Sequence, residues 1–509
     1  MHRTSELSDV DEDARARRLV DGLTILAILI GSALRVAHFS RRGSFWGDEA
    51  ALAYNLLARS YGELTRPLDL WQAAPAGYLI FEKLLGTHLG MEEHILRLPS
   101  LLAGIATLVL CAWSFQSLFG STVAVIATLF LAFSPELIRY SCEFKPYALD
   151  AAISIGLFAL FANPIRRDRW RTLWPLAVAG AIAPWFSLPS VFVLAGCGGS
   201  LGLRAAIEGN RRLSILLALS ATLWAASFAV EYLLCLRAAS TEPELLNYWS
   251  AAFAPFPPRS LADLRWYGGK AVYLLEPAFG RGTRHLTLIV FLTGCGLLGK
   301  RHRLVVGFVL AMLVAVLAAS AARKYPFTGR LLLFLLPILI LPIAVCFQEL
   351  CCRVGWRRLM VGLTLLGLLL WQPIQLAATR IANDSRAGDT KRANIALYQA
   401  MIAGYRPGDQ FVISPEANWG FRNYSLRYGF QPSGTIFLSK SVDLHDEWVK
   451  QLAGHGHSRR WLVFALSQTD SPESETSLLT KDLPATVRLV FDRSDQILGL
   501  ALRCYEPLP

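Results

Sequence analysis

The sequence predicts a mainly α-helical polytopic transmembrane bundle that carries a small α/β domain at its C-terminal end. Three observations predict it. Of 509 residues, 54% are hydrophobic and the mean hydropathy is +0.40; a water-soluble chain of this length would build two or three cores and carry more charge. Long apolar runs recur from Leu19 to Leu376, with basic residues in short clusters between them, the pattern that orients spans with Lys and Arg in the cytoplasm. Beyond Leu376 charged residues, Gly and Pro rise and no run of spanning length remains. The expected division is residues 1–375 for the membrane module and 376–509 for a soluble extracytoplasmic domain.

The basic clusters orient the elements in order. Arg15, Arg17 and Arg18 hold the N-terminus in the cytoplasm, and Leu19–Phe39 crosses as an uncleaved anchor, since no small-residue cleavage pattern follows. The chain then presents Phe45-Trp46-Gly47-Asp48-Glu49-Ala50 outside. Ala51–Ser60 reads as a short helix, and Trp71–Leu85 as an apolar segment too broken to span. Ile95–Leu118 returns, Phe119-Gly120-Ser121 turns tightly, and Val123–Ile138 goes out, leaving Arg139–Tyr147 at the outer surface. Ala148–Ala162 goes in to Arg166, Arg167, Arg169 and Arg171. Leu173–Ala183 and Pro189–Leu203 form a Pro-broken hairpin tipped by Trp185-Phe186-Ser187. Leu213–Leu236 goes out to a long segment, Arg237–Arg284, whose aromatic residues suit a membrane interface. Leu286–Leu298, Val305–Ala321, Leu331–Phe347 and Leu359–Trp371 complete about eleven spans. In the tail, Gln410–Ser414, Trp461–Leu466 and Val487–Phe491 read as strands, and Ala393–Ala403 and Leu444–Ala453 as amphipathic helices.

Composition excludes several functions. The net charge of +12 forms no exposed patch, so no nucleic-acid partner is expected. The nine cysteines lie mostly within apolar runs or beside a basic loop and show no CxxC or metal-ligand spacing; Cys142 with Cys504 is the one conceivable outside pair. No Gly-rich phosphate loop occurs. Asn383-Asp384-Ser385 and Asn423-Tyr424-Ser425 match the glycosylation acceptor pattern.

Four polar places share the outer side: Asp48-Glu49, Glu143-Phe144-Lys145, Arg323-Lys324 with Arg330, and everything after Gln372. Each has an ordinary reading. Asp48 can cap the following helix while Glu49 favours its positive end. Glu143 and Lys145 can form an exposed pair before a helix opened by Pro146. Arg330 can snorkel to water. Together, at one depth on one side, an acid pair and several cations suit one chemistry: a carboxylate takes a proton from an acceptor hydroxyl while cations hold a phosphate leaving group.

These residues also carry a family resemblance. Trp46-x-Asp48-Glu49 after the first span, then Pro75-Ala76-Gly77-Tyr78, then Arg139-Tyr140-Ser141-x-Glu143-x-Lys145-x-Tyr147, then Tyr325-Pro326-x-x-x-Arg330-Leu331-Leu332-Leu333-Phe334 resemble the GT-C glycosyltransferases. The nearest group contains the protein O-mannosyltransferases and the aminoarabinose transferase of lipid A, and the resemblance runs from about Leu19 to Trp371. It implies a multi-pass enzyme of the cell inner membrane with outer juxtamembrane helices. It implies a polyprenyl-phosphate sugar as donor and a glycolipid, polysaccharide or protein as acceptor. Asp48 matches the catalytic acid, here the general base of an inverting transfer, and Glu49 its partner for orientation and acceptor contact. Glu143, Lys145, Tyr325 and Arg330 match positions around the donor phosphate and sugar, with Trp46, Tyr78 and Tyr147 lining the substrate cavity. No cofactor or bound metal is implied, a divalent cation being left open. Where relatives carry His or Lys followed by two prolines, this chain has Ala74-Pro75-Ala76, so a basic or imidazole contact to the donor is either absent or supplied by Lys145. A transporter or lipid flippase would also place ionisable groups on spans, but near the bilayer midplane and in repeated halves. A non-catalytic envelope-polysaccharide assembly protein would keep the fold without requiring Asp48.

Overall fold

The computed structural model of the chain describes residues 2–167, 173–351, 356–415, 417–438, 458–464, 487–494 and 501–507. The long first helix α1 (His2–Ser40) leads to α2 (Gly47–Ala58) and, after a turn, α3 (Ala76–Leu89). Then follow α4 (Glu93–Phe119), α5 (Ser121–Phe133), α6 (Pro135–Tyr140) and α7 (Tyr147–Arg167). Gly90 and Gly120, at φ +114° and +94°, end α3 and α4 in a conformation that side chains disfavour. Ser134 caps α6, its Oγ accepting from the Leu137 N–H at 3.4 Å, with Pro135 in the first turn.

The second half of the bundle comprises α8 (Trp174–Ile182), α9 (Ser190–Ile207) and α10 (Arg211–Glu231). The short helices α11 (Arg237–Ala239), α12 (Pro243–Tyr248), α13 (Leu261–Tyr273) and α14 (Glu276–Phe279) occupy the predicted aromatic segment. They lead to α15 (Arg284–Arg301), α16 (Arg303–Ala321), a 3₁₀ turn over Gly329–Leu335, and α17 (Leu336–Cys351). The helix α17 is the centre of the bundle: every residue from Leu336 to Phe347 is buried. By contrast α1, α10 and α18 (Trp356–Gly404) expose large apolar residues such as Leu29, Leu219 and Leu368, as helices facing lipid do.

Among the described residues, seven helices, or eight counting one bent pair, are long and apolar enough to cross a membrane. The remaining predicted crossings also fall on helices: Ala148–Ala162 lies in the 21-residue α7, and the others on shorter or bent elements. Val123–Ile138 is divided between α5 and α6 at Pro135, and Leu173–Ala183 is the nine-residue α8. Leu286–Leu298 lies in α15, which qualifies only together with the segment Leu261–Phe279, bent from it by 99°.

The last span continues without interruption into the tail, because α18 runs through residue 404. Beyond it lie β1 (Gln410–Ile413), α19 (Asn418–Arg427), β2 (Gly434–Phe437), β3 (Arg460–Phe464), β4 (Val487–Ser494) and β5 (Ala501–Pro507). The sheet order is β2-β1-β3-β5-β4, with β1 parallel to both neighbours and β5 antiparallel to both of its own. The three predicted strands are present; β2, β5 and α19 were not foreseen. The predicted helix Leu444–Ala453 lies outside the described residues. Phe411, Ile413, Trp461 and Val463 from the sheet pack with Tyr398 and Met401 of α18 and Phe421 and Tyr424 of α19. Cys142 and Cys504 are both buried, Cys504 in this tail core and Cys142 against the Arg35 carbonyl, and no disulfide joins them. Asn423 of the second glycosylation pattern is buried within α19.

Candidate active site

The site is built from the loop before α2, the turn between α6 and α7, and the turn before α17. Trp46, not Asp48, is the N-cap residue of α2. The Trp46 N–H donates to Glu49 Oε2 at 3.3 Å, so the third residue of the helix secures its start. The Asp48 carboxylate is therefore free of a capping duty, and the reading of Asp48 as the helix cap is corrected. It turns instead to Arg330, 282 residues away, with Oδ2 accepting from Nη2 at 2.5 Å. The Arg330 guanidinium lies 5.6 Å from the ring centres of both Trp46 and Tyr147. Asp48 and Arg330 each retain some exposure, 15% and 22% of their side chains. Two buried donors beside them, Arg330 Nε and Trp46 Nε1, have no hydrogen-bond partner, a condition that native sites normally relieve with a ligand or water.

Lys145 comes to the same place from the α6–α7 turn and lies within electrostatic reach of Asp48 and Arg330. Its Nζ donates to Gln72 Oε1 at 2.6 Å. Burial pushes its ammonium down to about 8, with Asp48 opposing and Arg330 adding to that shift. Gln72 was missed by sequence reasoning. It precedes Ala74-Pro75-Ala76 by two residues, so this loop reaches Lys145 through an amide.

Several predicted residues hold the site rather than line it. Glu49 is fully buried and grips Arg97 of α4 with both oxygens, at 2.8 and 2.6 Å. It also accepts the Phe144 N–H at 2.6 Å. Burial alone would raise its pKa; Arg97, together with Arg42 and the Phe144 N–H, offsets this and holds it below the ordinary carboxylate value. Arg97 in turn donates to the carbonyls of Gly43 and Ser44 at 2.6 and 3.1 Å. The expected acceptor contact for Glu49 is corrected: the carboxylate has no exposed surface. Glu143 is also fully buried, and its Oε1 accepts from Arg42 Nη2 at 3.1 Å and Arg139 Nε at 2.9 Å. It is shared between the two arginines. Tyr325 donates its hydroxyl to the Leu331 carbonyl at 2.6 Å, bracing the turn that carries Arg330. Tyr78 is buried against the Phe144 ring, 6.2 Å centre to centre. Arg323 and Lys324 are exposed, Arg323 lying over the Phe253 ring at 5.6 Å.

Sequence reasoning missed Arg97, Arg42 and Gln72, which occupy a span, a span end and a polar loop with no motif to flag them. A buried arginine in an apolar helix was the available signal for Arg97, since such a charge needs a partner. Among the described residues no group of three or more His, Cys, Asp or Glu side chains is placed to hold a metal ion.

No protein-family profile matches this sequence, and neither does any curated protein. Solved structures do match in fold. The crystal structure of ArnT from Cupriavidus metallidurans bound to undecaprenyl phosphate is 12% identical, with 95% of this chain and 98% of that chain covered at a TM-score of 0.55. The same protein in the apo state is 13% identical, with 94% and 98% covered and a TM-score of 0.53. The Archaeoglobus fulgidus oligosaccharyltransferase tethered with an acceptor peptide containing the NVT sequon is 9% identical, with 90% of this chain and 70% of that chain covered at 0.51. The matches cover 90–95% of this chain, and the likeness is one of architecture: this chain shares the fold of these proteins.

Proposed function

We propose that this protein is an integral membrane glycosyltransferase that moves a sugar from a polyprenyl-phosphate donor to an acceptor hydroxyl on the extracytoplasmic face. One observation carries the reading: a partly open carboxylate, Asp48, is paired at 2.5 Å with Arg330 and overlooked by Lys145 at one end of a bundle of apolar helices. The fold it shares with a transferase crystallised with undecaprenyl phosphate supports the same donor class.

In this mechanism the donor phosphate takes Arg330 from Asp48 and meets the unpartnered Arg330 Nε. Lys145 adds a second positive charge. Asp48, released, accepts the proton of the acceptor hydroxyl as its oxygen bonds to the anomeric carbon. The bond from that carbon to the phosphate oxygen breaks, and its electron pair leaves with polyprenyl phosphate, stabilised by Arg330 and Lys145. A single in-line displacement of this kind inverts the anomeric centre and needs positioning, a base and anion stabilisation. The cations fill the role a metal plays for nucleotide sugars. Residues 1–375 form the catalytic membrane module and 376–509 the extracytoplasmic domain of an inner-membrane protein whose N-terminus is cytoplasmic. Mass spectrometry of cell-envelope lipids and glycans from cells carrying Asp48→Asn tests the reading. A sugar missing from one acceptor is expected; an unchanged envelope in cells with normal amounts of the variant overturns it.

A further inference from the structure

The C-terminal domain makes an unassigned contact with the site. Helix α19 lies on α2, and the Trp419 ring is close enough to Gly47 that an added Cβ there would meet it at 3.2 Å. Further along α19, the Tyr424 hydroxyl both donates and accepts. It donates to Glu93 Oε1 at 2.7 Å and accepts the Phe45 N–H at 3.0 Å. Arg427 Nη1 reaches both Glu93 oxygens, at 3.1 and 3.0 Å. Glu93 is the first residue of α4, and Arg97 one turn later holds Glu49.

Four backbone groups between Gly43 and Trp46 are thus held by side chains. Arg97 takes the carbonyls of Gly43 and Ser44, Glu49 takes the N–H of Trp46, and Tyr424 takes the N–H of Phe45. Only the last comes from the tail. Asp48 follows directly, and a base displaced by about an ångström loses much of its effect. The tail contact is also anchored from behind, because the Tyr424 ring stacks on Tyr398 of α18 at 4.8 Å.

We propose that Tyr424 and Arg427 are positioning residues for Asp48, so that the C-terminal domain is a working part of the catalytic unit. The proposal rests on the base role given to Asp48. In purified full-length protein, Tyr424→Phe removes the hydroxyl and leaves the ring stack. Its amide exchange around Phe45 should quicken, and its turnover should fall roughly ten- to a hundredfold with donor KM unchanged. Arg427→Gln should act in the same direction, and Arg427→Lys should restore part of the turnover. Parental turnover in Tyr424→Phe and Arg427→Gln overturns the proposal, as does a loss expressed only in donor KM. Amide exchange at Phe45 unchanged in Tyr424→Phe also overturns it. The exchange measurement needs no activity, so the positioning contact fails or stands separately from the base: near-normal transfer by Asp48→Asn removes the base while leaving the exchange result intact.

Discussion

At the scale of single residues, neighbours in sequence have opposite duties. Asp48 and Glu49 are adjacent acids, yet one is partly open and paired with Arg330 while the other is sealed against Arg97. Asp48→Asn should therefore leave α2 intact, since the Glu49–Trp46 bond secures the helix start. It should fold and bind donor while transfer falls roughly a hundredfold or more, the scale of lost general-base catalysis. Transfer assays with a donor-binding control check this. Glu49→Gln should instead damage the protein, because it strands the Arg97 charge. A loss of about 3–5 kcal/mol is expected, read as a lowered unfolding midpoint in detergent. Lys145 sets a pH limit. Its pKa near 8 means the ammonium outnumbers the neutral amine by about ten to one at pH 7. Charge is present below about 8 and lost above it, so donor KM should rise as pH passes from 7 to 9. In Lys145→Ala donor binding should be weaker by about 2–3 kcal/mol at pH 7, and its KM should no longer show that step.

At the scale of elements, close helix contacts depend on small residues. Gly294 of α15 faces the Pro342 carbonyl of α17, where an added Cβ would lie only 1.8 Å from the oxygen. Helices in a bilayer associate through such close backbone approach. Gly294→Ala should force α15 away from the central helix and cost about 1–3 kcal/mol, measurable as a lower midpoint of thermal unfolding in detergent; an unchanged midpoint would show that the pair can slide apart freely. Gly104 is similar, since a Cβ there would run into Ser141 in the turn that precedes Lys145. Neither glycine could be singled out by periodicity, because an apolar helix tolerates glycine on any face until a neighbour is known. The strands of the tail show the same limit. β1 and β3, buried runs of apolar residues, were legible, whereas β2, with Gly434 and Thr435 at its start and all its residues half-buried, carried too weak a pattern.

At the scale of the whole molecule, orientation links tail and site. With Arg15, Arg17 and Arg18 in the cytoplasm, Gly388 and all that follows should be extracytoplasmic. A reporter active only in the cytoplasm, fused to the C-terminus, should be silent; activity there would detach the tail from the proposed site face. What the sequence by itself determined is the class of molecule and the chemical types at its site. Apolar runs bounded by basic clusters must be helices in lipid, because an unpaired backbone is too costly there. The motif order brought Trp46, Asp48, Lys145, Tyr147 and Arg330 forward as candidates. Only the tertiary structure decided which acid is open and which is sealed, that Glu143 sits between two arginines, that Tyr325 bonds to the Leu331 carbonyl, and that Gln72 holds Lys145. It alone brought α19 onto α2. Each of these depends on a pairing between residues dozens to hundreds of positions apart, and burial and ion pairing are properties of those pairs. Local pattern specifies the helix a residue belongs to, but the partner that sets its charge and exposure is chosen by packing.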